Sequence, residues 1–367
     1  MELKQEPHIR CMGGKSMHFG EWNRKIKPPD DDAMNMARAR WDSIAKPLHG
    51  LGELEDVCIR IAGLTGSADI SISKRAAVIF CADNGVTAEG VTQTDASVTA
   101  VMAAAIAGGR SCVCQMAGAA GADVFPVDTG MFRRVPGVRD LHVADGAGNI
   151  ADGPAMTEEQ ALQAVSAGIS LAGELKGKEY QLLACGEMGI GNTTTAAAMA
   201  SVLLGMPAEQ TVGVGAGLSR EGLARKQSIV RRAVAKNCPD PQNALDVLCK
   251  LGGFDIAGMT GLFLGGALYR IPVIIDGMIS SVAALTAALL CPDSVCAMIP
   301  SHCSAEPSAA AILEKLSLEP ILRGNFRLGE GTGAVCMMPL LDLALAIYNG
   351  AATFSDVRIP QYEPLGD

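Results

Sequence analysis

Short apolar runs that end in polar turns constrain the fold of this chain more than any other feature. Most of the turns are rich in Asp, Gly or Ser, and each run is followed by an Ala-rich segment of helical character; the runs are 76–82, 122–127, 182–185, 272–275 and 295–299. Strand, turn and helix in alternation are typical of a parallel β-sheet with helices on both faces. We therefore predict an α/β fold whose ligands bind beyond the carboxyl ends of the strands.

The composition excludes several classes of protein. Hydrophobic residues make up 49% and charged residues 19% of the 367 residues, which excludes a disordered chain. The net charge is −9 and no basic run appears, so a nucleic-acid groove is not expected. The chain start has no apolar signal core, and no uninterrupted apolar stretch reaches the roughly 18 residues of a membrane span. We expect a cytoplasmic chain without a membrane or nucleic-acid partner.

The cysteines and histidines do not indicate a metal site or a disulfide framework. The chain has 12 Cys and 5 His, but no Cys-x-x-Cys pair, and the histidines lie far apart. Most of the cysteines stand in apolar runs, where reduced cysteine packs as a small hydrophobe.

The chain before about residue 65 is predicted to be helical. Pro28 and Pro29 precede three aspartates that mark a helix start, and residues 33–44 follow with mixed apolar spacing. A second helix is expected from about Leu51, because apolar residues recur there on one helical face.

The segment CGEMGIGNTTT at residues 185–195 is the turn with the most candidate ligands. Its glycines permit a tight turn, and the start of the next helix offers free N–H groups and a positive dipole end to an anion. The spacing resembles a phosphate loop, but Asn192 stands in place of Lys, so triphosphate hydrolysis is not expected. The residues leave two interpretations open, a monophosphate site and an ordinary strand-to-helix turn with a capping Thr.

One carboxylate, Glu330, stands between glycines in the segment LGEGTGA at residues 328–334. The segment satisfies a short dinucleotide motif, but residues 321–326 make a poor strand and no acidic residue follows about 20 positions later. A dinucleotide site is therefore not expected. A partly desolvated Glu can act as a base near neutral pH. A solvated loop acid is the alternative.

Three further turns carry candidate ligands. The glycine loop at 213–218 precedes a helix with Lys226, which belongs either to a second anion site or to a solvated helix face. The segment SHCSAEP at 301–307 lacks the Gly-x-Ser-x-Gly motif, so its hydroxyls are better explained as phosphate donors than as nucleophiles. The loop at 82–94 has the small polar residues to wall an aromatic pocket.

Taken in chain order, these segments resemble the nicotinate-nucleotide:dimethylbenzimidazole phosphoribosyltransferase family, which assembles the lower ligand of cobalamin. The resemblance covers nearly the whole chain, and GEMGIGNTT at 186–194 is its most specific block. The other blocks are AKPL at 45–48 with GLG at 50–52, ADNGV at 82–86, GGFDIA at 252–257, DGMIS at 276–280, SH at 301–302 with SAEP at 304–307, and GEGTG at 329–333.

The resemblance implies an architecture and a reaction. It implies a Rossmann-like large domain at 66–310, a small helical domain built from both chain ends at 1–65 and 311–367, and a dimer. It also implies transfer of phosphoribose from nicotinate mononucleotide to an aromatic base, with inversion to an α-ribotide. Glu330 would be the catalytic base, and neither a metal nor another cofactor is expected.

The resemblance further implies substrate contacts. The phosphate would lie among the loop and helix residues that follow the third predicted strand, with further contacts from later segments; the residues are Gly189, Gly191, Asn192, Thr193, Gly215, Lys226 and Ser304. Glu187 would lie near the ribose or the nicotinate, and Thr92 and Gln93 would lie at the base pocket.

Departures from the family pattern leave alternatives open. Val214, Ala216 and Ala147 stand where the family commonly carries Arg, Thr and Thr, and each lost hydrogen bond to a charged group costs about 1.5–3 kcal/mol. The loop at 92–95 is also more polar than a dimethylbenzimidazole wall should be. One alternative is a relative that joins phenol or p-cresol through an O-glycosidic bond, in a homodimer or a heterodimer with a paralogue. The other is a non-catalytic subunit, against which Glu330 and Lys226 argue.

Overall fold

A six-stranded parallel sheet forms the centre of the computed structural model, which describes residues 9–10, 16–17, 19–215 and 217–363. The strands in chain order are β1 (Ile9–Arg10), β2 (Ser16–Met17), β3 (Arg75–Ala82), β4 (Asp123–Gly130), β5 (Arg139–Asp140), β6 (Leu182–Met188), β7 (Val273–Ile275) and β8 (Met298–Pro300). The sheet order is β5-β4-β3-β6-β7-β8, and β1 and β2 form a separate antiparallel pair. The predicted Rossmann-like α/β fold is confirmed.

Helices cover both faces of this sheet. They are α1 (Phe19–Lys25), α2 (Asp31–Ser43), α3 (Glu53–Thr65), α4 (Ser97–Ala107), α5 (Cys112–Ala119), α6 (Glu158–Gly177), α7 (Asn192–Leu204), α8 (Ala208–Thr211), α9 (Arg220–Asn237), α10 (Ala244–Leu251), α11 (Phe254–Tyr269), α12 (Met278–Leu290), α13 (Ala309–Lys315), α14 (Thr332–Gly350) and α15 (Phe354–Val357). Short 3₁₀ helices occupy Gly85–Glu89 and Pro292–Ala297.

Side chains along β3 alternate between the two faces of the sheet and pack against a layer of helices on each face. Val78 and Phe80 belong to an apolar cluster with residues of α6, α7, α10, α11 and α12. Ile79 and Cys81 belong to the opposite cluster, with residues of α3, α4, α5 and α14. Because successive strand residues point to opposite faces, a strand that is buried on both sides is apolar throughout. This is why β3 reads as a continuous apolar run.

Glycine residues allow a close contact between α6 and α11. A Cβ atom on Gly168 of α6 would lie 2.1 Å from the Gly258 carbonyl oxygen, and one on Gly261 of α11 would lie 2.0 Å from the Val165 carbonyl oxygen. Only residues without a side chain permit this approach. The high glycine content therefore serves packing as well as turns.

The predicted elements agree with the structure, with one error of boundary. The runs at 76–82, 122–127, 182–185 and 272–275 lie in or mostly in β3, β4, β6 and β7, and the predicted helices correspond to α2, α3, α7 and α12. The strand predicted at 295–299 is partly wrong, because a 3₁₀ helix runs to Ala297 and β8 begins at Met298. Pro292 at the start of that helix fixes a helical φ. The two-residue strands were not predicted, since they are too short to show a period.

The two ends of the described chain pack together. The Trp41 and Tyr348 rings lie 5.0 Å apart, and the Ala45 N–H donates to the Ala352 carbonyl oxygen at 3.0 Å. Residues of α3 and α14 also share one apolar cluster with the sheet. The division of the chain near residues 65 and 310 stays a prediction.

Two stretches, Ser97–Ala119 and Thr332–Gly350, are long and apolar enough to span a membrane by length and composition alone. The first is two helices, because α4 ends at Ala107 and α5 begins at Cys112. The second contains Asp342, which pairs with Arg75 at 2.8 Å. Both contribute buried residues to the core, and core helices pass the same test.

Candidate active site

A cavity of about 290 Å³ lies beyond the carboxyl ends of β6, β7 and β8. The strand order reverses between β3 and β6, and open α/β sheets bind ligands at such reversals. The structure brings every site residue selected from the sequence to this cavity: Thr92, Gln93, Glu187, Gly189, Gly191, Asn192, Thr193, Gly215, Lys226, Ser304 and Glu330.

The turn after β6 directs the start of α7 toward the cavity. Gly191 is the N-cap of α7 with a φ of +96°, a conformation that favours glycine. A Cβ atom on Gly189 would lie 2.7 Å from the Ala82 carbonyl oxygen, so the turn also lies tightly against the end of β3. The N–H groups of the first turn of α7 and their dipole therefore lie where an anion can bind.

Lys226 is buried at the same end of the cavity. Its side chain is 0% exposed, and its Nζ donates to Thr193 Oγ1 at 2.7 Å. Burial lowers the pKa of Lys226 to about 8, and the nearby Glu306 carboxylate opposes this shift. The solvated helix face that the sequence left open is therefore wrong for Lys226. A cation shielded from water attracts an anion more strongly than an exposed one.

Glu306 contacts the glycine loop at 213–218, beside Lys226. Its Oε1 accepts from the Gly215 N–H at 3.1 Å, while its buried Oε2 has no partner among the described residues. A Cβ atom on Gly213 would lie 2.0 Å from Oε2. The glycines of this loop therefore make room for a carboxylate that the sequence did not single out.

Two buried carboxyl groups accept from Asn192, whose Nδ2 donates to Glu187 and, at 2.9 Å, to Asp255. Burial, with smaller contributions from Asp255 and Asp276, raises the pKa of Glu187 to about 8. Burial also raises the pKa of Asp255 and of Asp276 to about 6 each. The Asn192 amide is thus directed at carboxylates rather than left free for a phosphate.

These raised pKa values predict how stability depends on pH. Between the ordinary carboxyl pKa and about 8, the folded chain holds protons that the unfolded chain has lost, so stability falls as pH rises. We expect Glu187→Gln to flatten the decline between about pH 5 and about pH 8 by a few kcal/mol in urea denaturation. Glu319→Gln, at an exposed position, is the control and should leave the decline unchanged. An equal decline in wild type and Glu187→Gln would contradict this role.

Glu330 is held in a defined position. It is 5% exposed, which rules out the solvated loop acid, and its φ is +59°. Its Oε2 accepts from the Val113 N–H at 3.2 Å, at the start of α5. Gly186 lies against it, since a Cβ atom there would lie 2.8 Å from the Glu330 carbonyl oxygen. The carboxylate is therefore oriented through contacts with two other elements.

Asp276 fixes the turn that carries Glu330. Its two carboxylate oxygens accept from the N–H groups of Gly331 at 3.2 Å and Ala334 at 3.0 Å, at the start of α14. A carboxylate at a helix start stabilises the helix by satisfying free N–H groups. Asp276 was missed as a site residue, although its place directly after a strand was a usable signal.

A polar bridge crosses the mouth of the cavity. The exposed Gln93 donates through Nε2 to the Gly217 carbonyl oxygen, which joins the loop after β3 to the glycine loop. Thr92 is half-buried beside it. The same cavity is lined by the apolar side chains of Val91, Met188, Ile190, Leu218 and Leu328. Part of the polarity of the loop at 92–95 is therefore explained by a contact between two loops at the rim of the cavity.

The segment after β8 supplies one predicted and one unpredicted group. Ser304 lines the cavity, and its hydroxyl donates to the Phe326 carbonyl oxygen at 3.2 Å. Ser301 is 0% exposed and donates to the Ile275 carbonyl oxygen, so it is not available as a phosphate donor. His302 lines the cavity instead. Arg327, also missed, lines it from an exposed position.

The positions that depart from the family pattern have different surroundings. Val214 lines the cavity, Ala147 is buried at 4% exposure, and Ala216 lies outside the described residues.

Every described cysteine is free, whereas Cys11 lies outside the described part. Within residues 19–215 and 217–363, no group of three or more His, Cys, Asp or Glu side chains is placed to hold a metal ion.

Comparisons with known proteins agree on one family. A family model described as DBI_PRT, Phosphoribosyltransferase, matches residues 26–359. The nicotinate-nucleotide–dimethylbenzimidazole phosphoribosyltransferase of Ruminiclostridium cellulolyticum is 44% identical over 351 residues, 95% of this chain and 100% of the relative. The enzyme of the same name from Escherichia coli strain SMS-3-5 is 42% identical over 90% of this chain and 94% of its own. The crystal structure of CobT from Thermus thermophilus has a TM-score of 0.84 and 38% identity, over 90% of this chain and 100% of that chain.

Proposed function

The chain belongs to the nicotinate-nucleotide–dimethylbenzimidazole phosphoribosyltransferase family, and we propose that it transfers phosphoribose from nicotinate mononucleotide to an aromatic base. The product is an α-ribotide, the precursor of a cobamide lower ligand. One observation carries the proposal: a single cavity combines a buried, oriented carboxylate, Glu330, with a buried cation, Lys226, that contacts the first turn of α7. These are a base for the acceptor and a site for the phosphate.

The charges of the cavity match those of nicotinate mononucleotide. The nucleotide carries two anionic groups, a phosphate and a ring carboxylate, and the lining contains two cationic side chains, Lys226 and Arg327. We assign the phosphate to Lys226, Thr193 and the first turn of α7. Arg327 at the rim is the counter-charge for the ring carboxylate. Asp276 lines the cavity, and its pKa of about 6 leaves it ionised near neutral pH, so it supplies negative charge near the cationic pyridinium.

The proposed reaction needs one base and no acid. Glu330 takes the ring N–H proton of the azole as its other nitrogen attacks C1′ of the ribose. The bond from C1′ to the pyridinium nitrogen breaks, and its electron pair neutralises that nitrogen as nicotinate leaves. Attack opposite the leaving group inverts C1′. Holding both reactants in one cavity contributes to the rate, because alignment replaces a random encounter.

The proposal also covers the oligomeric state and the cellular compartment of the protein. We propose a homodimer in the cytoplasm, with a heterodimer with a paralogue as the alternative. The names of the relatives favour dimethylbenzimidazole as the acceptor, and transfer to a phenol and a non-catalytic subunit are the alternatives. The polar residues Thr92 and Gln93 are the basis for the phenol alternative.

A turnover assay of the chain expressed alone tests the proposal. We expect nicotinate release from nicotinate mononucleotide with dimethylbenzimidazole, and much less with p-cresol, because the relatives that are 42–44% identical are named for dimethylbenzimidazole. The α-ribotide is identified by nuclear magnetic resonance, and the oligomeric state by light scattering. Release with p-cresol alone would favour the phenol relative. A folded protein that is silent with both acceptors would overturn the self-sufficient enzyme.

A further inference from the structure

The Ser301–His302 pair is not used by the reaction described above, yet the ring of His302 lines the cavity. Ser301 Oγ lies 2.6 Å from the Ile275 carbonyl oxygen and 3.0 Å from His302 Nδ1. A hydroxyl has one hydrogen, and a carbonyl oxygen can only accept. The Ser301 hydrogen is therefore committed to Ile275.

This commitment fixes the tautomer of His302. Because the Ser301 oxygen can only accept from the ring, Nδ1 must carry the hydrogen, and Nε2 of the neutral imidazole carries a lone pair. Burial lowers the pKa of His302 to about 4, so the ring stays neutral near physiological pH. The ring is an acceptor at Nε2 throughout the working range.

The surroundings also fix the orientation of the ring. A Cβ atom on Gly333 would lie 2.2 Å from His302 Nδ1, so the α14 backbone closes one side. The Phe326 ring packs on the imidazole at a centroid distance of 5.0 Å. A Cβ atom on Gly277 would lie 3.8 Å from Nε2 and 3.7 Å from Ser304 Oγ, which places Nε2 near Ser304. No hydrogen bond to Nε2 comes from the described residues.

An acceptor that faces a cavity requires a donor on the ligand. In nicotinate mononucleotide the ring carboxylate only accepts hydrogen bonds and the phosphate predominantly accepts, whereas the ribose has two hydroxyl groups that donate. We propose that His302 Nε2 accepts a hydrogen bond from a ribose hydroxyl and thereby orients the sugar toward Glu330. This inference rests on the proposed function. It makes His302 a substrate-binding residue and Ser301 a positioning residue that sets its tautomer.

A cycle of enzyme and substrate deletions tests the contact. We would measure kcat/KM of wild type and His302→Phe with nicotinate mononucleotide and with its 2′-deoxy and 3′-deoxy analogues. Phe keeps a ring against Phe326 but has no acceptor. For one analogue we expect the change in kcat/KM relative to nicotinate mononucleotide to be less favourable in wild type than in His302→Phe by roughly threefold to tenfold, the range of a neutral hydrogen bond. The intrinsic reactivity of each analogue cancels, because the same analogue is compared in both enzymes.

The proposal is overturned if each analogue changes kcat/KM by the same factor in wild type and in His302→Phe. Ser301→Ala is the second variant, since it removes the constraint on the tautomer and keeps the imidazole. We expect it to weaken the coupling to the same hydroxyl and to leave the other hydroxyl unaffected.

A second readout needs neither turnover nor a variant. Nitrogen-15 resonance of the His302 ring in the wild-type protein distinguishes a protonated Nδ1 from a protonated Nε2. We expect hydrogen on Nδ1 in the free protein, and a shift of the Nε2 resonance on titration with nicotinate mononucleotide that one deoxy analogue fails to produce. Hydrogen on Nε2 would overturn the inference even if the enzyme is active. Hydrogen on Nδ1 with no response to the nucleotide would instead count against the proposed function, together with a silent assay.

Discussion

Replacing Glu330 with Gln will lower kcat by about a hundredfold to ten-thousandfold, the usual contribution of a positioned general base. The amide cannot take the azole proton, so the attacking nitrogen stays poorly nucleophilic. KM for nicotinate mononucleotide should change little, because the phosphate site around Lys226 is separate from the Glu330 turn. Steady-state nicotinate release measures both parameters.

The geometry makes this substitution a clean test. The amide oxygen that Glu330→Gln introduces can still accept from the Val113 N–H, and Asp276 still holds the turn through Gly331 and Ala334. Folding should therefore be retained, as circular dichroism and thermal melting would show. Glu319→Gln, an exposed change of the same kind, should keep full activity. If Glu330→Gln retained kcat within a factor of about three, the base would have to be another group, and Glu187 with its raised pKa would be the first to examine.

The sequence predicted the sheet well because its signals are local. The strands β3, β4, β6 and β7 lie in apolar runs that end in polar turns, and β3 is buried on both faces, so its pattern is continuous. The ligand-bearing turns followed from the strands, because the carboxyl ends of parallel strands share one edge. This logic predicted that the turns with Asn192 and Ser304 carry ligand groups at one edge of the sheet, whereas the position of Glu187 followed from the family resemblance.

The sequence could not predict groups whose surroundings are tertiary. Lys226 lies on the strongly polar helix α9 and resembles a solvated face, but Thr193 and the glycine loop enclose it. Asp255 stands in an apolar helix, and its carboxylate accepts from Asn192, which is 63 positions away in sequence. The tautomer of His302 depends on the Ile275 carbonyl oxygen of a different strand. Such contacts join distant parts of the chain and leave no periodic signal.

Burial shifts the pKa values of five groups in or beside the site toward the neutral form. Burial raises the pKa of Glu187, Asp255 and Asp276, and lowers the pKa of Lys226 and His302. Each shift records a charged form that is destabilised until a counter-charge arrives. A nucleotide with an anionic phosphate and a cationic ring supplies both counter-charges. Substrate binding should therefore relieve costs that the empty site carries.

We expect Lys226→Met to raise the stability of the folded chain and to lower its activity. Lowering the Lys226 pKa from 10.5 to about 8 costs the folded state about 3 kcal/mol when the amine is charged, at about 1.4 kcal/mol for each pKa unit. Met fills a similar volume without charge, and buried charges are often replaced by apolar groups with no loss of stability or a gain. We expect the unfolding free energy in urea to rise near neutral pH.

The pH dependence of stability tests this gain independently. A depressed Lys pKa means that the unfolded chain binds the proton more tightly, so wild-type stability from this group rises as pH increases from about 8 toward 10.5. The advantage of Lys226→Met should therefore shrink over that range. Lys236→Met, an exposed change on the same helix, should show neither the gain nor its pH dependence. A variant less stable than wild type at neutral pH would contradict the cost assigned to the buried amine.

The activity of Lys226→Met should move in the opposite direction. Losing a charge-assisted hydrogen bond to the phosphate removes about 1.5–3 kcal/mol, which corresponds to roughly a tenfold to hundredfold fall in kcat/KM for nicotinate mononucleotide. The fall should appear mainly in KM, because the phosphate is bound equally before and during the transfer. An unchanged kcat/KM in a more stable variant would place the phosphate elsewhere in the cavity. A gain in stability together with a rise in KM would identify Lys226 as a cation that the fold keeps buried, at a cost, for the nucleotide phosphate.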